Sequence, residues 1–236
     1  PDEVRERYLT LAERSLARDF GPLEDGVVVL DTETTGLSFK DCSLIEISAA
    51  RLVGREVVDR FETFVHPSGP IPPEIQRLTG ITNADVTDAP SARDAVAALA
   101  DFVGGAPVLA HNATFDRTFV EAVPGGAEVS NTWIDTLSLS RVALPRLSTH
   151  RLADMAEAFG CASVTHRAGD DVDALCGLWR ILLTALSDLP SGLLSLLAAM
   201  HEEVTWPLRP IFSYLGTMGD AGTAPFSLKA VRAALA

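Results

Sequence analysis

The sequence contains few cysteines, and their positions suggest no pairing. Cys42, Cys161 and Cys176 lie far apart and form no Cys-x-x-Cys pair. This usage is typical of a reducing compartment, so we expect structural thiols and a cytoplasmic location rather than a disulfide framework. The five histidines are also dispersed, without the spacing of zinc ligands, which argues against a zinc site.

Long apolar segments and an excess of positive charge are also missing. No apolar run reaches the roughly 20 residues of a membrane-spanning helix. The first residues are charged, unlike a signal peptide, so no membrane partner is expected. The net charge of −13 argues against a broad basic surface for nucleic acid. It does not exclude a nuclease, because a carboxylate cluster becomes locally cationic once it binds divalent ions.

The chain does contain a short apolar segment, 27–30, that runs directly into Asp31 and Glu33. Its unalternating, β-branched character predicts a strand that is buried on both faces. Residues i and i+2 of a strand point to the same side, so the two carboxylates share a face. Because neighbouring carboxylates repel and are costly to desolvate, we predict a divalent cation between them. The alternative is that both simply reach solvent at the strand end.

The pattern of the remaining chain predicts an α/β fold with a mixed sheet. Segments 44–53 and 56–65 resemble strands and are separated by Gly54-Arg55, as in a hairpin. Further strands are predicted at 107–111 and 131–136. Helices are predicted at 2–19, 74–79, 91–103, 114–123, 137–142, 152–159 and 171–186. Three strands followed by alternating helices and strands favour a sheet with helices on its faces.

Pro190-Ser191-Gly192 marks a break late in the chain. The sequence beyond it is Leu-rich at 193–200 and ends in a predicted short helix from Ser227. We expect these apolar residues to pack back on the domain, because a free Leu-rich helix is an aggregation hazard. The predicted division is an N-terminal helix (1–25), a main domain (26–186) and a helical C-terminal extension (187–236).

Two later segments carry more carboxylates. Asp116 lies in the first turn of a predicted helix. There its carboxylate is either stabilised by the helix dipole or serves as a third metal ligand. In segment 166–173, His166 precedes three aspartates, of which helix capping explains at least one. The functional alternative is that Asp171 binds metal while His166 accepts a proton from a metal-bound water.

Four carboxylates and one histidine on three segments suit two-metal hydrolysis of a phosphodiester. No G-x-x-x-x-G-K-[ST] phosphate loop competes with this interpretation. The segments DTETTG at 31–36, HNATFD at 111–116 and HRAGDD at 166–171 resemble the three motifs of the DnaQ-like, DEDDh 3'–5' exonucleases in order and internal spacing. The resemblance covers about residues 26–186. It implies an RNase H-like five-stranded sheet whose first three strands are antiparallel.

The resemblance also implies a role for each matching residue. Asp31, Glu33, Asp116 and Asp171 would bind two divalent ions, Mg²⁺ or Mn²⁺, and His166 would act as general base. The implied contacts to the 3'-terminal nucleotide are Thr34, Thr35, Gly36, Leu37, Ile81, Asn112 and Phe115. Leu37 and Ile81 would flank the terminal bases, with plain core packing as the alternative for Leu37, Ile81 and Phe115. We interpret Asp170 and Asp173 as helix-capping and surface residues, and His111 as structural.

The implied reaction releases nucleoside 5'-monophosphates from single-stranded DNA or from the frayed 3' end of duplex DNA, with RNA as a further candidate substrate. The implied partners are a DNA polymerase or repair proteins. Three rivals remain: trimming of RNA in the manner of oligoribonuclease or RNase T, a non-catalytic binding module on an exonuclease fold, and an aspartyl phosphatase. Glu33 in place of a second aspartate argues against the phosphatase, and the intact set of five residues argues against the non-catalytic module.

Overall fold

The computed structural model describes residues 2–129, 131–200 and 202–218. Its centre is a sheet whose strands we label β1 (Val27–Thr34), β2 (Leu44–Val53), β3 (Glu56–Phe64), β4 (Val108–Ala110) and β5 (Trp133–Asp135). The strand order is β3-β2-β1-β4-β5. The first three strands pair antiparallel, whereas β4 runs parallel to β1 and β5 runs parallel to β4. The predicted mixed sheet of five strands is thereby confirmed.

The seven helices predicted up to residue 186 occur in order, with small shifts at their ends, and two more lie in the described part of the C-terminal extension. Together they are α1 (Asp2–Ala17), α2 (Pro73–Thr79), α3 (Ala92–Val103), α4 (Thr114–Ala122), α5 (Thr136–Ala143), α6 (Leu152–Phe159), α7 (Ala168–Ser187), α8 (Ser191–Ala199) and α9 (Arg209–Met218). Ser91 caps α3 as predicted, since its side chain accepts the Asp94 backbone N–H at 3.2 Å. The final predicted helix, from Ser227, lies outside the described residues.

Strand β1 is buried on both faces, as its apolar sequence predicts. Val27 and Val29 belong to a core with α7, whereas Val28 and Leu30 belong to a second core with α3. Burying such side chains stabilises a fold by roughly 1.5–3 kcal/mol each, so the register of β1 is firmly set. Because side chains alternate along a strand, Asp31 continues the face of Val27 and Val29, towards α7.

Helices from both ends of the described chain pack on the same core. Tyr8 of α1 contacts Phe159 of α6, with ring centroids 5.0 Å apart. Leu194 of α8 and Phe212 of α9 belong to the core cluster that also contains Trp179 of α7. The expectation that the apolar tail packs back on the domain is confirmed for the part of the tail that the structure describes, while the division at 26 and 186 stays a prediction.

Helix α7 is long and apolar, but its side chains are mostly buried. Among the described residues, no single helix meets the length and hydropathy needed to cross a membrane; α7 and α8 do so only as a pair that is bent by 106°. All three cysteines are free thiols.

Candidate active site

The site forms where β1 and β4 end and α4 and α7 begin. In the antiparallel register, Asp31 lies opposite Ser48 and Glu33 lies opposite Glu46, and the pairing of β1 with β2 shifts immediately after Glu33. Strand β4 runs parallel to β1, so the helix that follows it starts at the same edge of the sheet. Asp116 lies in the first turn of that helix, α4.

Helix α7 brings the remaining predicted catalytic residues to this edge. Ligand atoms of Glu33, His166 and Asp171 all lie within 4.8 Å of one another. Asp116 is buried and accepts a hydrogen bond from the Thr32 hydroxyl at 2.8 Å. Asp31 interacts electrostatically with Asp116, Asp171 and Glu33. The structure therefore places the five predicted catalytic residues around one point.

Burial and mutual repulsion give these carboxyl groups unusual proton affinities. Burial, followed by the charges of Asp116 and Asp171, raises the pKa of Asp31 well above its usual value. Burial raises the pKa of Glu33 to about 8 and that of Asp116 to about 7, and it also raises the pKa of Asp171. A divalent cation with carboxylate ligands would relieve this repulsion. The donor set therefore fits a hard cation such as Mg²⁺ or Mn²⁺.

Glu46 is a buried carboxylate beside the site that the sequence reasoning missed. Its buried carboxylate accepts hydrogen bonds from Nη2 of Arg167 at 2.7 Å, from Nε of Arg167 at 3.2 Å and from the backbone N–H of Ala168 at 2.9 Å. We call this contact the Glu46–Arg167 latch. It ties the start of α7 to β2, directly beside Glu33. A carboxylate within the apolar sequence Leu44-Ile45-Glu46-Ile47 was the available signal, because a buried charge requires a partner.

The latch lies on one side of His166, and a second clamp lies on the other. The backbone N–H of Thr165 donates to Asp171 at 3.1 Å, and the Thr165 hydroxyl donates to Asp170. His166 itself has a positive φ of 59°, which is uncommon for a residue with a side chain and requires support from its neighbours. The imidazole is exposed to solvent. The loop is therefore held in position while its side chain stays accessible.

The predicted capping role of the aspartates is wrong. Helix α7 begins at Ala168 rather than at 171, so the residue at its N-cap is Arg167. Asp170 and Asp171 lie inside the first turn, where the helix dipole favours a carboxylate. Asp173 lies on the surface, as expected, and forms an ion pair with Arg60 of β3.

The turn after β1 is held by its own hydrogen bonds. The Thr34 hydroxyl donates to the carbonyl oxygen of Gly36 at 2.6 Å, and Thr35 exchanges hydrogen bonds with Ser43. Leu37 follows with 88% of its side chain exposed. An apolar residue so exposed beside the carboxylates has the accessibility that stacking on a base requires.

The other predicted nucleotide contacts differ in accessibility. Ile81 is only 1% exposed and packs in a small core, so core packing is its role in this structure and no face is available to a base. Phe115 is partly exposed and contacts Phe119, with ring centroids 5.0 Å apart. Asn112 is exposed, has a φ of 67° and donates its backbone N–H to Asp135 at 3.0 Å.

A cleft of about 780 Å³ opens beside the carboxylates. Asp31, Asp171 and His166 line it, together with residues of α5, of the connection from α5 to α6, and of the first turn of α6. His111 also lines the cleft and contacts that connection, because its Nε2 lies 2.9 Å from the carbonyl oxygen of His150. Burial lowers the pKa of His111, and these contacts agree with the structural role predicted for it.

Comparisons with known proteins concern the family and the fold of this chain. Residues 28–178 match the family model RNase_T, described as Exonuclease. The DNA polymerase III PolC-type protein of Caldanaerobacter subterraneus is 39% identical over 170 residues, and that of Bacillus subtilis is 38% identical over 170 residues. The matched segments are 71% and 70% of this chain but only 12% of each relative. This chain therefore corresponds to a small part of those proteins.

Solved structures share the fold. Exonuclease X, in complex with 5' overhanging duplex DNA, has a TM-score of 0.56 and 26% sequence identity, covering 66% of this chain and 90% of that one. Exonuclease I of E. coli, in a complex with single-stranded DNA, has a TM-score of 0.59 at 18% identity, covering 68% and 41%. With its RNase H-like sheet and the family match over 28–178, the chain belongs to the exonuclease family.

Proposed function

We propose that this protein is a metal-dependent 3'–5' exonuclease that releases nucleoside 5'-monophosphates. The observation that carries this proposal is the convergence of Asp31, Glu33, Asp116 and Asp171 at one edge of the sheet, with pKa values raised by burial and repulsion. Such a cluster holds protons when no cation is present, and it becomes a strong oxygen-ligand site when one binds.

The residues have separable roles in this reaction. Asp31, Glu33, Asp116 and Asp171 would hold two divalent ions, which would supply the positive charge that activates a water and stabilises the leaving oxygen. His166, exposed on its clamped loop next to Glu33 and Asp171, is the proton acceptor of the site. The turn from Thr34 to Gly36 and the exposed Leu37 stop the strand at its last nucleotide.

The substrate that fits best is a single-stranded or frayed 3' end of DNA. Exonuclease X, which is 26% identical, was solved with 5' overhanging duplex DNA, and the exposed Leu37 suits stacking on a terminal base. The two relatives that are 39% and 38% identical are named as DNA polymerases. A DNA polymerase is accordingly the partner that we propose.

Blocked oligonucleotides test the polarity. A single strand with a 3' block should resist digestion, whereas the same strand with a 5' block should shorten stepwise from its 3' end in the presence of Mn²⁺. The products should be 5'-monophosphates, identified by mass spectrometry. Digestion of only the 3'-blocked strand would overturn the polarity, and digestion of neither would overturn the activity.

The same assay ranks the substrates. Single-stranded DNA, duplex DNA with a 3' mismatch, and RNA of the same sequence are digested in parallel with Mg²⁺ and then with Mn²⁺. We expect single-stranded DNA and the mismatched end to be degraded faster than fully paired duplex. Faster degradation of RNA than of both DNA substrates would contradict the proposed DNA substrate and favour RNA trimming.

A further inference from the structure

Three arginines lie close together in sequence on a segment that lines the same cleft as the carboxylates. Arg141 is in the last turn of α5, and Arg146 and Arg151 follow in the connection to α6. All three are exposed. Among the described residues, no side-chain hydrogen bond or ion pair engages any of these guanidinium groups. Other arginines are committed to acidic partners, namely Arg14, Arg18, Arg60, Arg117, Arg167 and Arg180.

Only two of the three face the cleft. Arg141 and Arg151 line it together with Asp31, Asp171 and His166, whereas Arg146 is not among the lining residues. The cleft is therefore lined by two kinds of charged group, namely carboxylates, which include Asp154 of α6, and the two unpaired guanidinium groups. We call the second the arginine wall, and define it as Arg141 and Arg151.

The backbone that presents the arginine wall is fixed by its own contacts. Nε2 of His111 lies 2.9 Å from the carbonyl oxygen of His150, and Nε2 of His150 lies 3.1 Å from the carbonyl oxygen of Leu144. The Thr149 hydroxyl donates to Asp154 at 2.8 Å. The connection is thus anchored at several points to β4 and α6, although the arginine side chains themselves are exposed. Such an arrangement is organised for a ligand from outside the chain.

The chemistry of that ligand follows from the charge distribution. The chain carries a net charge of −13, and the carboxylate wall adds to the repulsion that a polyanion meets. Guanidinium groups bind phosphate through paired hydrogen bonds, which makes arginine well suited to a phosphodiester. Two unpaired guanidinium groups in the same cleft as the reaction site therefore match the phosphates of a strand whose end lies at the carboxylates.

We propose that Arg141 and Arg151 bind the backbone phosphates of the nucleotides that precede the 3' terminus. This proposal rests on the proposed exonuclease function, since it assigns the upstream strand to a second surface of the same cleft. The contact is to phosphate rather than to bases, so it carries no sequence preference. It makes affinity depend on strand length, because a dinucleotide ends before the arginine wall.

The test compares Arg141→Gln with Arg146→Gln, a matched change in the same segment that does not face the cleft. KM and kcat are measured with Mn²⁺ for a single-stranded 12-mer and for a dinucleotide. Arg141→Gln should raise KM for the 12-mer about tenfold, the size expected for a hydrogen bond to a charged group. It should leave kcat within about twofold, the typical signature of a lost binding contact, with KM for the dinucleotide unchanged. Arg146→Gln should change none of these values.

The salt dependence of strand affinity provides a second readout. It would not change if the arginines had only a structural role. The slope of log affinity against log salt should fall by about 0.7 for each phosphate contact that is lost from a single strand. Arg151→Gln should reduce this slope by the same amount as Arg141→Gln. The double variant, with both changes, should reduce the slope by about twice as much. Melting curves of each variant establish that the fold is retained.

Two results would overturn the proposal that the arginine wall binds backbone phosphates. One is an equal rise in KM for Arg141→Gln and Arg146→Gln, which would indicate a general charge effect. The other is an equal rise for the dinucleotide and the 12-mer, which would place Arg141 at the terminal nucleotide instead. If the wild-type protein released no nucleotide, the exonuclease proposal would fail separately. Fluorescence anisotropy with a labelled 12-mer in Ca²⁺ would still measure whether Arg141→Gln weakens strand binding.

Discussion

The two walls of the cleft are built in opposite ways. The carboxylate wall lies on the end of β1 and on the first turns of α4 and α7, and Asp116 and Asp171 within it are buried. The arginine wall lies on an exposed connection, and its side chains have no partner among the described residues. The first wall is set by the core and stores electrostatic repulsion, whereas the second is set by a few hydrogen bonds around His111 and His150.

This difference separates chemistry from binding. A change in the carboxylate wall should act on the reaction itself, because the repelling carboxylates are the groups that a cation must join. A change in the arginine wall should act on how well a long strand is held. The predictions below test that separation, beginning with the largest expected effect.

Asp31→Ala should reduce nucleotide release by more than about 10³-fold, since loss of a central ligand disables the metal site. The matched control is Asp173→Ala, which removes an aspartate of α7 that pairs only with Arg60 on the surface. Rates are measured with a 5'-labelled single strand, and circular dichroism checks the fold. Full activity in Asp31→Ala would show that Asp31 is not part of the active site.

His166→Ala should lower kcat by about 10²–10⁴-fold, the usual contribution of a positioned proton acceptor. Mn²⁺ affinity, measured by calorimetry, should change far less, because the four carboxylates are the proposed ligands. A loss of Mn²⁺ affinity as large as the loss of rate would instead make His166 a metal ligand, which its proximity to Glu33 and Asp171 also allows.

Loss of the Glu46–Arg167 latch should lower kcat less than loss of His166 does, but more than loss of a similar ion pair elsewhere. Arg167→Ala should lower kcat by about tenfold, in the range for residues that orient a metal site from outside it, with KM little changed. Arg60→Ala is the control. Arg60 joins β3 to the same helix through Asp173, and its exposed side-chain fraction of 40% is close to the 43% of Arg167.

A conservative change that keeps the positive charge of the latch provides the complementary test. Arg167→Lys should recover part of the rate that Arg167→Ala loses, although lysine lacks the paired donors of arginine. Equal losses of rate in Arg167→Ala and Arg60→Ala would mean that the latch only stabilises the fold.

The smallest expected effect is on stability. In the metal-free protein the pKa of Glu33 is raised to about 8 from 4.5, and that of Asp116 to about 7 from 3.8. The folded state therefore binds more protons than the unfolded chain between about pH 4 and pH 8, so its stability falls as the pH rises through that window. Mn²⁺ should raise Tm more at pH 8 than at pH 6, because fewer protons compete for the ligands.

Melting curves in EDTA and in Mn²⁺ at both pH values measure this effect. The control is Glu33→Gln, which removes the group with the pKa of about 8 and should flatten the pH dependence of the metal-free protein. A metal-free Tm that increases from pH 6 to pH 8 would contradict the electrostatic account of the carboxylate wall.

The same contrast explains what the sequence can predict. Local sequence determines the carboxylate wall. Asp31 and Glu33 lie two residues apart on β1, and Asp116 lies in the helix that follows β4. Local periodicity and short motifs therefore predicted the sheet, most helices and five candidate catalytic residues, which the fold brings together at one edge of the sheet. The start of α7 was missed by three residues, because Gly169 is a poor helix former and the short segment Ala168-Gly169-Asp170 shows no helical apolar periodicity.

Features set by tertiary contacts were not predictable in this way. The side chain of Glu46 finds Arg167 across 121 residues of sequence, and only the fold brings them together. Ile81 had been assigned to the nucleotide, but its 1% exposure depends on packing with Ile45 and Ile71. The arginine wall escaped notice because Arg141 and Arg151 match no motif, and only the position of the connection beside the cleft gives them a role.

The most direct test of the central claim is nucleotide release by metal-stripped protein, before and after Mn²⁺ is restored. A 5'-labelled single strand is followed on a gel at single-nucleotide resolution. The account predicts no release in EDTA, and stepwise shortening from the 3' end once Mn²⁺ is added. Equal release in EDTA and in Mn²⁺ would contradict it, because the clustered carboxylates would then have no part in the reaction.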